Sequence, residues 1–135
     1  TATVSGTGFT SCSAYYGGGM YLQYSSTATV SGTGFTSCSA SGGGGMFLAS
    51  STATVSGTGF TSCSAYYGGG MYLQYSSTAT VSGTGFTSCS ASVGGGMYLY
   101  SSTATVSGTG FTSCSASGLG GGMFLHSAST ATVSG

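Results

Sequence analysis

The sequence predicts an all-β fold: a three-sided parallel β-helix, or β-solenoid, of 25–26 residues per coil, wound to the right. Three observations predict it. The phrase TATVSGTGF begins at Thr1 and returns at Thr27, Thr52, Thr78 and Thr103, and its first six residues return once more at Thr130. Within each phrase apolar and polar residues alternate with period two, and no 3.6-residue apolar pattern is present. Glycine falls at fixed places in every repeat, where tight corners need positive φ.

The repeats span 1–26, 27–51, 52–77, 78–102 and 103–129, with a partial repeat at 130–135. Self-similarity at such a period is the mark of a solenoid, so the whole of 1–135 reads as one β-solenoid segment. Each repeat is expected to hold three short strands, separated by SG, by a bend near TS, and by GGG. In TATVS, Ala2 and Val4 face one way, while Thr1, Thr3 and Ser5 face the other. In CSA, Cys12 and Ala14 share a side. In MYL, Met20 and Leu22 share a side and Tyr21 faces away. The expected inward ladders are Ala2, Val4, Phe9, Cys12, Ala14, Met20 and Leu22, repeated in each coil. One coil cannot bury its apolar face alone, so stacking makes the core. Parallel crossovers are almost always right-handed, which sets the expected hand. Length differences of one or two residues are expected in the loops, leaving the ladders in register.

Composition narrows the function. The chain has no Lys, Arg, Asp or Glu and one His, yet 39% of it is hydrophobic and 13% aromatic. Disorder goes with low hydrophobicity and high net charge, and neither holds here. Without charge no repulsion separates copies, so the chain is expected to be assembled, covered by something hydrophilic, or both. No basic patch exists for nucleic acid, and no apolar run approaches the ~20 residues of a membrane helix. The chain opens and closes at the same phase of its repeat, which reads as an excerpt from a longer protein.

The segment FTSCSAYYGGGMYL carries a family likeness. FTSC (Phe9 to Cys12) and GGGM (Gly17 to Met20) resemble the FxxN and GGAI motifs of polymorphic outer-membrane proteins and related surface autotransporters, with Cys in place of Asn. The match recurs in all five full repeats. The resemblance implies a right-handed β-helix in an extracellular, adhesin-like or fibrous setting, and it transfers no catalytic residue.

Few residues offer chemistry. Cys12, Cys38, Cys63, Cys89 and Cys114 occupy one position in successive coils. They read as a column of buried thiols serving as small apolar residues, with disulfides between coils or chains as the alternative. CxxC spacing is absent, so no zinc site is expected. His126 stands alone, without the Asp of a Ser–His–Asp set. SGTG and GGG lack the Lys and the following helix of a phosphate loop. No catalytic residue, cofactor or metal is expected, and the chain is expected not to be an enzyme.

Two surface arrays remain. Thr1 and Thr3, Thr27 and Thr29, Thr52 and Thr54, Thr78 and Thr80, and Thr103 and Thr105 are expected to point outward from one face. This Thr-x-Thr pattern resembles the ice-binding face of insect β-helical antifreeze proteins; Thr is also simply a good exposed strand residue. Tyr21, Phe47, Tyr72, Tyr98 and Phe124 are expected to form an outward aromatic array for lateral packing or for stacking on sugars. Tyr15, Tyr16 and Tyr24, with their copies Tyr66, Tyr67 and Tyr75, add to it in alternate coils.

The leading expectation is a structural, extracellular or cell-surface repeat protein that forms a fibre, appendage or stalk. Its partners are expected to be copies of itself or other fibre subunits, with O-linked glycans on Ser and Thr. N-linked glycans are excluded by the absence of Asn. An ice-binding or carbohydrate-binding solenoid is the alternative.

Overall fold

A computed structural model describes residues 1–135. It is an all-β parallel solenoid with no helix. Coil 2 contains strands Thr27–Ser31, Gly34–Thr36, Ser39–Gly42 and Met46–Ala49. Coil 3 repeats them as Thr52–Ser56, Gly59–Thr61, Ser64–Tyr67 and Met71–Gln74, and coil 4 as Thr78–Ser82, Gly85–Thr87, Ser90–Val93 and Met97–Tyr100. In coil 1 the third strand is reduced to single bridges, Ser13 to Ser39 and Tyr16 to Gly42.

The four strands of a coil build four parallel sheets. This differs from the three strands expected, because GFT is a strand of its own. A bend stands on each side of it: Gly32 has φ +55° and Ser37 has φ +54°. Ser37 and its copies hold the left-handed region at a cost that Gly would not carry.

Register is strict. Thr52 to Ser56 pair one for one with Thr27 to Ser31 and with Thr78 to Ser82. Backbone groups bond from coil to coil in the corners too, for example Gly44 N to Gly68 O at 3.1 Å and Ser64 N to Cys38 O at 2.9 Å. Every coil thus satisfies its backbone through its neighbours, as buried peptide groups require.

The length differences fall where they leave these pairings intact. Coils 1 and 3 carry one more residue after MYL than coils 2 and 4. It fits into a corner with two consecutive positive φ angles, Tyr24 and Ser25 or Tyr75 and Ser76, where coil 2 has only Ser50. Coil 5 absorbs a further residue as a shift between Ala116 and Leu119, with Leu119 paired to Val93.

The core is a single continuous column containing Val30, Val55, Val81 and Val106, the inner phenylalanines, Cys38, Cys63 and Cys89, and the Met–Leu pairs. Phe9, Phe35, Phe60, Phe86 and Phe111 stack face to face with centroids 4.7–4.9 Å apart and planes within 7°. That distance is the strand spacing itself. The third glycine of each GGG run lies flat beneath this stack: a Cβ on Gly45 would stand 2.5 Å from Phe60 Cδ1.

Ala14 and its copies do not join the core, against expectation. Ala40, Ala65 and Ala91 are half-buried. At this level the interior is filled by backbone. The glycine run lies directly on the neighbouring strand, so that a Cβ on Gly44 would come 2.6 Å from the Ser64 carbonyl oxygen. No space is left there for an inward side chain.

Candidate functional site

The Thr array lies where alternation places it. Thr27, Thr29, Thr52, Thr54, Thr78, Thr80, Thr103 and Thr105 are exposed, and Ala and Val between them are buried. Thr1 and Thr3 continue the row and pair through Thr3 with Thr29. The face is in register and uncharged.

The expected outward aromatic array is corrected by burial. Tyr21, Phe47, Tyr72, Tyr98 and Phe124 do point away from the main core, but Phe47 is fully buried and Tyr72 and Tyr98 are 7% and 5% exposed. They form a second, smaller apolar cluster with Ala49. The cause is cover from the preceding strand. Tyr16 stacks on Phe47 at 4.7 Å and 15°, and Tyr67 on Tyr98 at 5.4 Å and 25°. Tyr21, at the open first coil, is 44% exposed.

Cover alternates. Tyr16 and Tyr67 flank Gly42 in the ladder, and Val93 follows Tyr67. A Cβ on Gly42 would lie 3.2 Å from a Tyr16 ring carbon and 2.9 Å from one of Tyr72. The large rings of coils 1 and 3 therefore occupy space that a small residue in coil 2 vacates. The aromatics left to solvent are Tyr15, Tyr24, Tyr66 and Tyr75, with Tyr16, Tyr21 and Tyr67 partly so.

The five cysteines are free thiols. Each of the four later ones donates to a carbonyl one coil back, as Cys63 Sγ does to Phe35 O at 3.2 Å. Burial pushes Cys38 up to about 11. Interaction with Cys63, and burial, hold Cys89 protonated, while Cys89 draws Cys63 down. Burial likewise raises Tyr72 and Tyr98.

His126 is exposed at the end of the Met–Leu ladder, paired with Tyr100, its Nδ1 3.3 Å from the Tyr98 hydroxyl. No group of three or more His, Cys, Asp or Glu is gathered as a metal centre. No helix is long and apolar enough to cross a membrane.

Sequence reading missed a buried polar column. Ser51, Ser77 and Ser102 are 1–4% exposed. Each hydroxyl accepts from the serine amide of the coil before, at 3.2 Å from Ser51 N to Ser77 Oγ and from Ser77 N to Ser102 Oγ. Each then donates to a carbonyl of its own corner, as Ser77 Oγ does to Gln74 O at 2.7 Å. Thr33, Thr58 and Thr84 are buried in the next corner and donate to the carbonyl two residues back. The signal was present: the Ser that precedes every later TATV (Ser26, Ser51, Ser77, Ser102 and Ser129) is invariant in these repeats, although the residues before it change.

The stacked register, the four parallel ladders and the glycine corners place the chain among coiled parallel-sheet proteins. Residues 1–135, the full length, match the family described as right handed beta helix region. The chain belongs to that family. No curated protein and no solved structure matches it. As a right-handed β-helix it offers two lateral surfaces, the Thr face and the tyrosine-edged face.

Proposed function

We propose that this β-helix is a non-enzymatic structural element of an extracellular or cell-surface fibre, appendage or stalk. One observation carries the reading. Coil 3 pairs with coil 2 below and coil 4 above in the same register along all four ladders. A coil's upper surface thus complements its lower one, and the stack lengthens by repetition with nearest-neighbour energetics. The composition supports the rest. With no Asp, Glu, Lys or Arg the chain has few groups able to act as general acid, base or cation ligand. With no charge, nothing opposes lateral packing, and the many outward hydroxyls suit O-linked glycans or water.

Fibre diffraction and electron microscopy of the native assembly test this reading. Straight filaments with a ~4.8 Å axial repeat and glycan mass on Ser or Thr peptides are expected. A compact soluble monomer with unmodified hydroxyls overturns it.

The Thr face favours one second reading, an ice-binding surface, since its hydroxyl pairs are exposed and in register. Thermal hysteresis of the dissolved chain, lost on Thr54→Tyr, supports that reading; its absence removes it.

A further inference from the structure

We propose that the notch between Tyr24 and Tyr75 binds a neutral, linear oligosaccharide running along the solenoid axis.

The notch follows from the alternation of coil lengths. Tyr24 and Tyr75 are the added corner residues of coils 1 and 3, 84% and 58% exposed. The shorter corner of coil 2, Ala49 and Ser50, lies between them. Together with Gln23 and Gln74 these residues line a groove of about 310 Å³. A second groove of about 340 Å³ continues it toward Tyr100 and His126, sharing Gln74 and Tyr75. The binding surface is thus elongated along the stack, with one Tyr wall every two coils, or roughly 10 Å.

Its chemistry selects the ligand. The Tyr21 hydroxyl donates to Gln23 Oε1 at 2.7 Å, and the Tyr72 hydroxyl donates to Gln74 Oε1 at 2.9 Å. Each amide is held in place by its acceptor end, so its open capacity is chiefly that of an N–H donor. A ligand must therefore bring acceptors. Absence of Lys, Arg, Asp and Glu gives an ionic ligand no fixed charge to pair with. Flat aromatic faces, amide donors and serine hydroxyls without charge suit a pyranose, which offers C–H faces to the rings and hydroxyl oxygens to the amides. A quaternary ammonium would use the tyrosine faces but leave the amides unused. The Tyr21-Gln23-Tyr24 set recurs as Tyr72-Gln74-Tyr75, so successive sugars of one chain meet the same constellation twice.

Saturation-transfer NMR and tyrosine-fluorescence titration of the unglycosylated chain test the proposal. The probes are neutral hexaoses (β-1,4-glucan, β-1,4-mannan and β-1,3-glucan), methyl glycosides, oligogalacturonate and tetramethylammonium. Saturable binding of at least one neutral hexaose is expected, tighter than its methyl glycoside. Preference for the hexaose identifies a linear chain as the ligand, and equal binding of the methyl glycoside overturns the proposal. Tyr24→Ala with Tyr75→Ala should weaken binding about tenfold or more, and an unchanged far-ultraviolet CD spectrum should show the fold intact. Gln74→Glu, similar in shape but without the donor, should weaken it as well. Failure of every neutral probe to bind, binding untouched by the tyrosine changes, or preference for tetramethylammonium or oligogalacturonate overturns the proposal.

Discussion

The rings of Phe60 and Phe86 lie 4.7 Å apart and within 3° of parallel. Strand pairing fixes that distance, because Phe60 and Phe86 are ladder partners. The Phe86 ring also rests on Gly70, where a Cβ would stand 2.5 Å from its Cδ1. Backbone register, ring stacking and a bare glycine thus meet in one contact.

Two glycines of coil 3 should respond oppositely to the same change. Gly70→Ala drives a methyl into the Phe86 ring and should cost about 1–3 kcal/mol, as overpacking does. Gly59→Ala has no atom within 4 Å of the new Cβ and no positive φ, and should be neutral within about 0.5 kcal/mol or slightly stabilising. Phe60→Ala should cost about 3–5 kcal/mol. Urea midpoints of the variants check the order, and equal midpoints for the two glycine variants would contradict it.

Stability should be indifferent to acid and sensitive to alkali. No Asp or Glu exists to be protonated, so the ordinary source of acid denaturation is missing. Cys38 is raised to about 11 by burial, so its neutral form is favoured in the folded chain. Its contribution is complete below the unfolded thiol value, near pH 8.5, and is lost as pH climbs through 9 toward about 11. Cys89 acts in the same sense, and Tyr72 and Tyr98 add to it at higher pH; Cys63 alone is drawn the other way. Thermal midpoints should be flat from about pH 3 to about pH 8 and fall above that. A fall on the acid side would refute this account.

The serine column should be worth more than its surface appearance. Ser77→Ala leaves the buried Ser51 amide without its acceptor and should cost about 1–3 kcal/mol. Ser76→Gly, at a φ of +59° in the same corner, should cost nothing or stabilise slightly. Guanidinium unfolding of the two variants separates them.

Deleting Tyr75 should convert the corner of coil 3 into that of coil 2 and leave both neighbouring ladders in register. A stability change within about 1 kcal/mol is expected, read from the thermal midpoint, with the parallel-sheet CD spectrum retained. Global unfolding on deletion would show that the extra residue is needed for register.

The solenoid was legible because its causes are periodic. Alternation in TATVS gave the buried Ala28 and Val30 and the exposed Thr27 and Thr29 correctly. The identical position of Cys38, Cys63 and Cys89 gave their burial. Ala14 misled because alternation carries no knowledge of how near the opposite wall lies, and the glycine backbone had already taken that space. Tyr72 misled for a related reason. It does face away from the core, but facing away is a direction, whereas burial depends on Tyr16, Tyr67 and their neighbours one coil over. GFT was too short to show a period, so its strand was invisible. The notch needs two coils of unequal length side by side, and no single repeat contains it.

The alternation of Tyr16, Gly42 and Tyr67 in one ladder makes a tyrosine coil and the small-residue coil beside it one packing unit. Excising residues 27–51 alone would set Tyr16 against Tyr67 and take away the bare Gly42 beside which the Tyr16 ring lies, although every backbone bond could re-form. Excising residues 27–77 would instead set Tyr16 against Val93, a meeting the fold already makes between Tyr67 and Val93. The pair-wise excision should melt higher than the single one despite having lost more of the stack. Two coils without tyrosine already tolerate each other where Val93 meets Leu119, so such a protein can gain or lose coils freely there, while each tyrosine coil keeps a partner without one.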